Sequence, residues 1–201
     1  MITFALAVIS LILTPGPGVL TTAGFGAAYG FRRSLVYVLG LFIGSNLVLL
    51  AVVSGFAAIL FSVPWLRLVL VFVSLGFLLY LAAKIAFAGS KIAFIAAKSP
   101  PGVLGGILLQ IVNPKAYAVM TSLVSGFGYA PNNLAFELTT KIIIFNALWI
   151  PIHLIWLWAG TILHELNLSQ GQQRAINVAM ALGLVFVVVL SLFSLLNTPA
   201  A

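Results

Sequence analysis

Six long apolar runs constrain this chain more than anything else in it. They cover roughly Ile2–Thr22, Leu35–Phe61, Trp65–Phe87, Gly102–Phe127, Phe136–Leu163 and Ile176–Leu196. A helix needs about 20 apolar residues to cross the ~30 Å hydrocarbon core of a bilayer, and each run reaches that scale. Backbone inside a bilayer must satisfy its own hydrogen bonds, which leaves helices or a closed barrel. A membrane barrel is built from alternating segments of about ten residues. These runs are continuously apolar, so they are read as six transmembrane helices. Composition closes the other routes. The 201 residues are 63% hydrophobic and 5% charged, whereas a soluble domain carries about 25% charge. So few charges can neither cover a water-facing surface nor keep a chain disordered. The runs fill residues 1–201 as one transmembrane domain, with no room for a soluble catalytic domain. Cysteine is absent, which excludes disulfides and thiolate metal sites. The first run starts without a basic n-region or a cleavage site, so it is read as a retained helix.

Cations set the expected orientation. With the N-terminus outside, the inner loops hold Arg32, Arg33, Lys84, Lys91, Lys98 and Arg174, and the outer loops hold Arg67 and Lys141. Cytoplasmic loops retain Lys and Arg, so both termini are expected outside. The net charge of +7 is read as this retention rather than as nucleic-acid binding. The segment Lys84–Lys98, with lysines seven apart, is expected near the inner surface and its lipids. Gly40-x-x-x-Gly44 and Gly102-x-x-x-Gly106 permit close helix approach.

Two runs are interrupted. The first contains Thr14-Pro15-Gly16-Pro17-Gly18. Proline lacks an amide hydrogen and disfavours helical angles in the residue before it, so the helix should break. The fourth contains Asn113-Pro114-Lys115-Ala116, an N-cap followed by proline at the first helical position. Each break lies about 17–18 Å into its run at 1.5 Å per residue, near mid-membrane. Pro114 follows Pro15 by 99 positions, and Asn146 follows Asn46 by 100. Three helices separate the copies, so the second is inverted. The expected fold is all-α and polytopic. Two inverted three-helix repeats cover about 1–98 and 99–201, with helices 1 and 4 broken at mid-membrane, as in transporters. Both second half-helices would offer free amides, at Gly18 to Leu20 and at Lys115 to Tyr117, to an anion such as a carboxylate. Lys115 adds a full charge. A central lysine costs about 2.5–3.5 kcal/mol on insertion scales, and the substrate is its expected counter-ion.

These motifs resemble those of the LysE/RhtB family of amino-acid exporters. Its first helix carries Thr-Pro-Gly-Pro, matched by Thr14-Pro15-Gly16-Pro17, and its fourth Asn-Pro-Lys-Ala, matched by Asn113-Pro114-Lys115-Ala116. Gln110 before the second motif also fits. The resemblance covers the whole chain in length, helix plan and motif spacing. It implies ion-gradient-driven export of amino acids or related metabolites across the bacterial inner membrane. Members often carry Asp or Asn after the second proline. Gly18 stands there, which tilts the expected substrate from dibasic towards neutral. Small carriers of this kind also pair, so a homodimer is an open expectation.

Asn146, Trp149 and His153 share one helix face. Asn46 and Asn146 are candidates for the cavity or for interhelical hydrogen bonds. His153 is a candidate proton carrier, with neutral packing as the alternative. No cofactor or metal site is expected. His164-Glu165 begins like a zinc-protease motif, but Leu168 replaces the second histidine. Ser125 lacks a nucleophile elbow, so an intramembrane hydrolase is disfavoured. A channel of the same architecture is the remaining alternative to a carrier.

Overall fold

The computed structural model describes residues 1–14, 16–87, 100–166 and 169–197. Pro15, Lys91 and Lys98, and with the last two most of the Lys84–Lys98 segment, lie outside the described residues. Nine helices and no strand occur among those described. They are α1 (Ile2–Leu13), α2 (Pro17–Tyr29), α3 (Phe31–Val53), α4 (Phe56–Ser62), α5 (Pro64–Ala86), α6 (Gly102–Val112), α7 (Pro114–Gly126), α8 (Leu134–Glu165) and α9 (Gln170–Asn197). The segments Phe31–Val53, Leu134–Ile162 and Gln170–Val189 are each long and apolar enough to cross a membrane. The pairs α1–α2 and α6–α7 qualify jointly, bent by 54° and 65° at their breaks.

Helix ends differ from the apolar runs in instructive ways. α2 continues past Thr22 to Tyr29, and only Gly30 (φ 76°) separates it from α3. Arg32 and Arg33 therefore occupy the first turn of α3 rather than a loop. The second run divides at Gly55, whose φ of 76° suits a residue without a Cβ. Lys141 is also not a loop residue. It lies in α8, 2% exposed, paired with Glu137 at 2.8 Å, and its ammonium donates to the Val124 carbonyl at 2.7 Å. The Glu137 carboxylate accepts the Tyr129 and Ala130 amides at 3.0 and 2.7 Å. Apolarity marks lipid-facing length. It does not mark where a helix starts, because a first turn tolerates charge.

The exterior is apolar: Ile59, Ile143, Ile155, Leu182, Phe186 and Phe193 are each about 60% exposed or more. Such a surface suits lipid and would aggregate in water. Inside, glycine lets helices meet backbone to backbone. A Cβ at Gly40 would lie 2.0 Å from the Val103 carbonyl oxygen, and one at Gly106 would lie 2.3 Å from that of Tyr37, joining α3 to α6. A Cβ at Gly160 would lie 2.1 Å from the Ala23 carbonyl oxygen, and one at Gly26 would lie 2.6 Å from that of Leu157, joining α2 to α8. Gly102 does not take part: its φ is 67° and nothing lies within 4 Å of its would-be Cβ. Tyr37, fully buried, packs edge-on against Phe25 at 4.7 Å and donates its hydroxyl to Thr21 Oγ1 at 2.9 Å. That bond ties α3 to α2 just beyond the first break.

Candidate functional site

The two breaks meet at one cavity. α1 ends where the Thr14 amide and hydroxyl both reach the Ser10 carbonyl, at 3.2 and 2.7 Å. α2 restarts at Pro17 after the extended Gly16 (φ −159°, ψ 179°). Leu20 makes the first backbone bond of the new helix, to Gly16 O at 3.0 Å. The amides of Gly18 and Val19 are first-turn donors without an acceptor among the described residues. α7 begins differently. Asn113 caps it, its side chain accepting the Lys115 amide at 3.1 Å and its carbonyl the Ala116 amide at 3.0 Å. Of the amides expected to be free, those of Leu20, Lys115 and Ala116 are therefore used within their own helices. The start of α7 offers the Lys115 side chain in their place.

Lys115 reaches from α7 to the end of α1, where Nζ donates to the Thr14 carbonyl at 2.5 Å. The C-terminal end of a helix carries partial negative charge, so the ammonium suits it. The side chain passes over Gly16, where a Cβ would lie 2.7 Å from Lys115 Cδ and 2.9 Å from Nζ. Gly16 thus makes the space that the lysine occupies.

The cavity between the breaks holds about 60 Å³, room for roughly four to six waters at ~10–15 Å³ each. Thr14, Gly16, Pro17, Gly18, Gln110, Asn113, Lys115, Trp149 and His153 all line it. Pro114 sits behind, at the first position of α7. Ser45 also lines the cavity and was not singled out in the sequence. The Gln110 side-chain amide donates to its hydroxyl at 2.5 Å, and the Asn113 amide donates to Gln110 Oε1 at 3.0 Å. This chain fixes the polar wall; Gln110 and Asn113 were visible in the sequence, and the serine next to Gly44 was not. The other wall is apolar: Leu11, Ile12, Val119, Met120 and Phe145.

Asn46 and Asn146 are not part of this lining. Each side chain donates to the other's oxygen at 2.9 Å. Each also donates to a carbonyl one turn back, Phe42 or Ile142, at 3.0 Å. His153 is 3% exposed and stacks on Trp149, with ring centroids 3.6 Å apart. Its Nδ1 lies 3.0 Å from the Trp149 carbonyl. Among the described residues no group of three metal-ligating side chains occurs.

The translocator family model "LysE type translocator" matches residues 9–195. Curated relatives include the leucine efflux proteins of Salmonella typhimurium and Salmonella typhi, each 27% identical over 130 residues. The match covers 62% of this chain, and the chain spans 61% of the length of those relatives. No solved structure matches. The matched region takes in both helix breaks and the residues that line the cavity between them, and the protein belongs to the LysE type translocator family.

Proposed function

We propose that this chain is a secondary active exporter of amino acids or related small metabolites in the bacterial inner membrane. It works by alternating access around a mid-membrane carboxylate site. The observation that carries this reading is the Lys115 ammonium, held at the cavity beside the start of α2. There, with the Gly18 and Val19 amides, it offers an anion one full charge and two backbone donors. Gln110, Asn113, Thr14 and Trp149 complete the substrate site. The apolar wall and the absence of a carboxylate among the described lining residues favour a neutral, apolar amino acid over a dibasic one. The relatives named for leucine efflux point the same way. α1–α2, α3 and α5 form one half and α6–α7, α8 and α9 the other, six spans as two inverted repeats with both termini periplasmic. The matched breaks and the Asn46–Asn146 pair support that symmetry. His153 carries the coupled proton.

The test is counterflow and gradient-driven uptake of labelled L-leucine and other amino acids in proteoliposomes. A carrier saturates and shows counterflow, whereas a channel does neither. Lys115→Met should weaken binding of a transported acid by about 10- to 150-fold, the equivalent of a charge-assisted hydrogen bond. The amide of that acid should bind poorly to wild type and be little affected. Equal weakening of acid and amide would overturn the carboxylate assignment.

A further inference from the structure

His153 presents one nitrogen to the cavity. Its Nδ1 faces the Trp149 carbonyl, which can only accept, so Nδ1 carries the hydrogen. In the neutral ring Nε2 is then an acceptor lone pair. This atom has no hydrogen-bond partner among the described residues, although the residue is 97% buried. It faces Gly18, where a Cβ would lie 3.6 Å from His153 Nε2 and 3.9 Å from Gln110 Nε2. The residue lines the cavity, so a donor that enters can reach the lone pair, and stacking on Trp149 holds the ring in place. The cavity therefore has two unlike polar ends. Lys115 lies over Gly16, and the imidazole lone pair lies over Gly18. Lys115 and His153 line one cavity, so a single small zwitterion can face the ammonium and the lone pair together.

We propose that His153 Nε2 accepts a hydrogen bond from the substrate's α-ammonium, so that a proton and the substrate occupy that atom in alternation. The proposal rests on the carboxylate reading of Lys115 above. Gly18 is its specificity-determining partner, because the missing side chain leaves Nε2 open. A proton taken from water by the lone pair turns Nε2 into a donor and gives the ring a positive charge. That form rejects an ammonium, and loss of the proton restores the acceptor. Among the described residues the other elements around the cavity present one further charged group, Lys115 on α7. α2 presents Gly18, α3 presents Ser45, and α6 presents Gln110. No carboxylate there competes for the ammonium.

The experiment compares L-leucine with 4-methylpentanoate, which has a hydrogen in place of the ammonium and so no donor at that carbon. Both compete for leucine counterflow in proteoliposomes of the full chain. His153→Phe should weaken L-leucine by about 10- to 100-fold and leave 4-methylpentanoate within about threefold. His153→Gln can offer an amide oxygen but holds no proton. It should bind leucine more tightly than His153→Phe does and lose uphill uptake driven by a pH gradient. Gly18→Ala puts a methyl in front of Nε2 at an ordinary contact distance, so folding is retained while leucine, and not 4-methylpentanoate, binds more weakly. Equal losses for both ligands in His153→Phe would overturn the proposal, as would a Gly18→Ala variant with wild-type leucine affinity. If wild type transports none of the acids tested, the exporter reading itself fails.

Discussion

Replacing Gly16 by alanine should displace Lys115 without touching it. The new methyl carbon would stand 2.7 Å from Cδ, 3.3 Å from Cε and 2.9 Å from Nζ of the lysine, against about 3.5–4.0 Å for a comfortable carbon contact. The Gly16 backbone is extended and open to any residue, so the flexible lysine yields and Nζ leaves the Thr14 carbonyl. A hydrogen bond from a charged group contributes about 1.5–3 kcal/mol, equivalent to about 10- to 150-fold in affinity where substrate binding needs that geometry. Alanine is also a poorer N-cap than glycine, which adds a cost of order 1 kcal/mol or less whether or not the lysine is present. A double-mutant cycle separates the two effects. In a Lys115→Ala background the three nearest atoms, Lys115 Cδ, Cε and Nζ, are gone, so Gly16→Ala should show mainly the cap cost there. The coupling energy should be about 1.5–3 kcal/mol, read from half-saturating leucine in counterflow, with the thermal midpoint in detergent as the folding control. The reasoning is refuted if Gly16→Ala lowers leucine affinity by the same factor with and without the lysine side chain.

Gly160→Ala should destabilise the fold by about 1–3 kcal/mol, because its Cβ would drive into the Ala23 carbonyl. Gly76→Ala, with nothing within 4 Å, should be neutral or stabilising. Thermal midpoints in detergent check the pair, and equal shifts would sink the backbone-contact account. Since the chain has no cysteine, Asn132→Cys and Ser169→Cys can report orientation. An impermeant maleimide should label the first in intact cells and the second only after permeabilisation, and the reverse pattern would invert the proposed topology.

The breaks were legible because Pro15, Pro17 and Pro114 act through local backbone chemistry. A proline removes its hydrogen bond wherever the helix goes. The cap at Asn113 was legible for the same reason. What Lys115 does there was not, because its acceptor, Thr14 O, lies 101 positions away and carries no side-chain signature. Reading the amides of Lys115 and Ala116 as free failed because Asn113 satisfies both. Ser45 escaped notice because a serine in an apolar run usually bonds its own helix. The offset of 100 between Asn46 and Asn146 was visible, whereas their choice of each other over the cavity depends on how α3 and α8 cross.

A contact that maps onto itself when two halves trade places cannot favour either arrangement. Each asparagine of the Asn46–Asn146 pair gives one hydrogen bond and takes one. If the proposed repeats exchange conformations during transport, the same two bonds reappear with the partners' roles swapped. Their energy then cancels from the ratio of the two access states, and the pair serves as a pivot that turns without resistance. The lysine contact has no such mirror image. Position 16 is the counterpart of position 115, 99 residues earlier, and it holds a glycine. If the proposed repeats exchange conformations, the bond from Lys115 to Thr14 has no symmetry-related equivalent in the exchanged state. Within the proposed alternating-access scheme, that asymmetry is what would weight the direction in which the empty carrier faces.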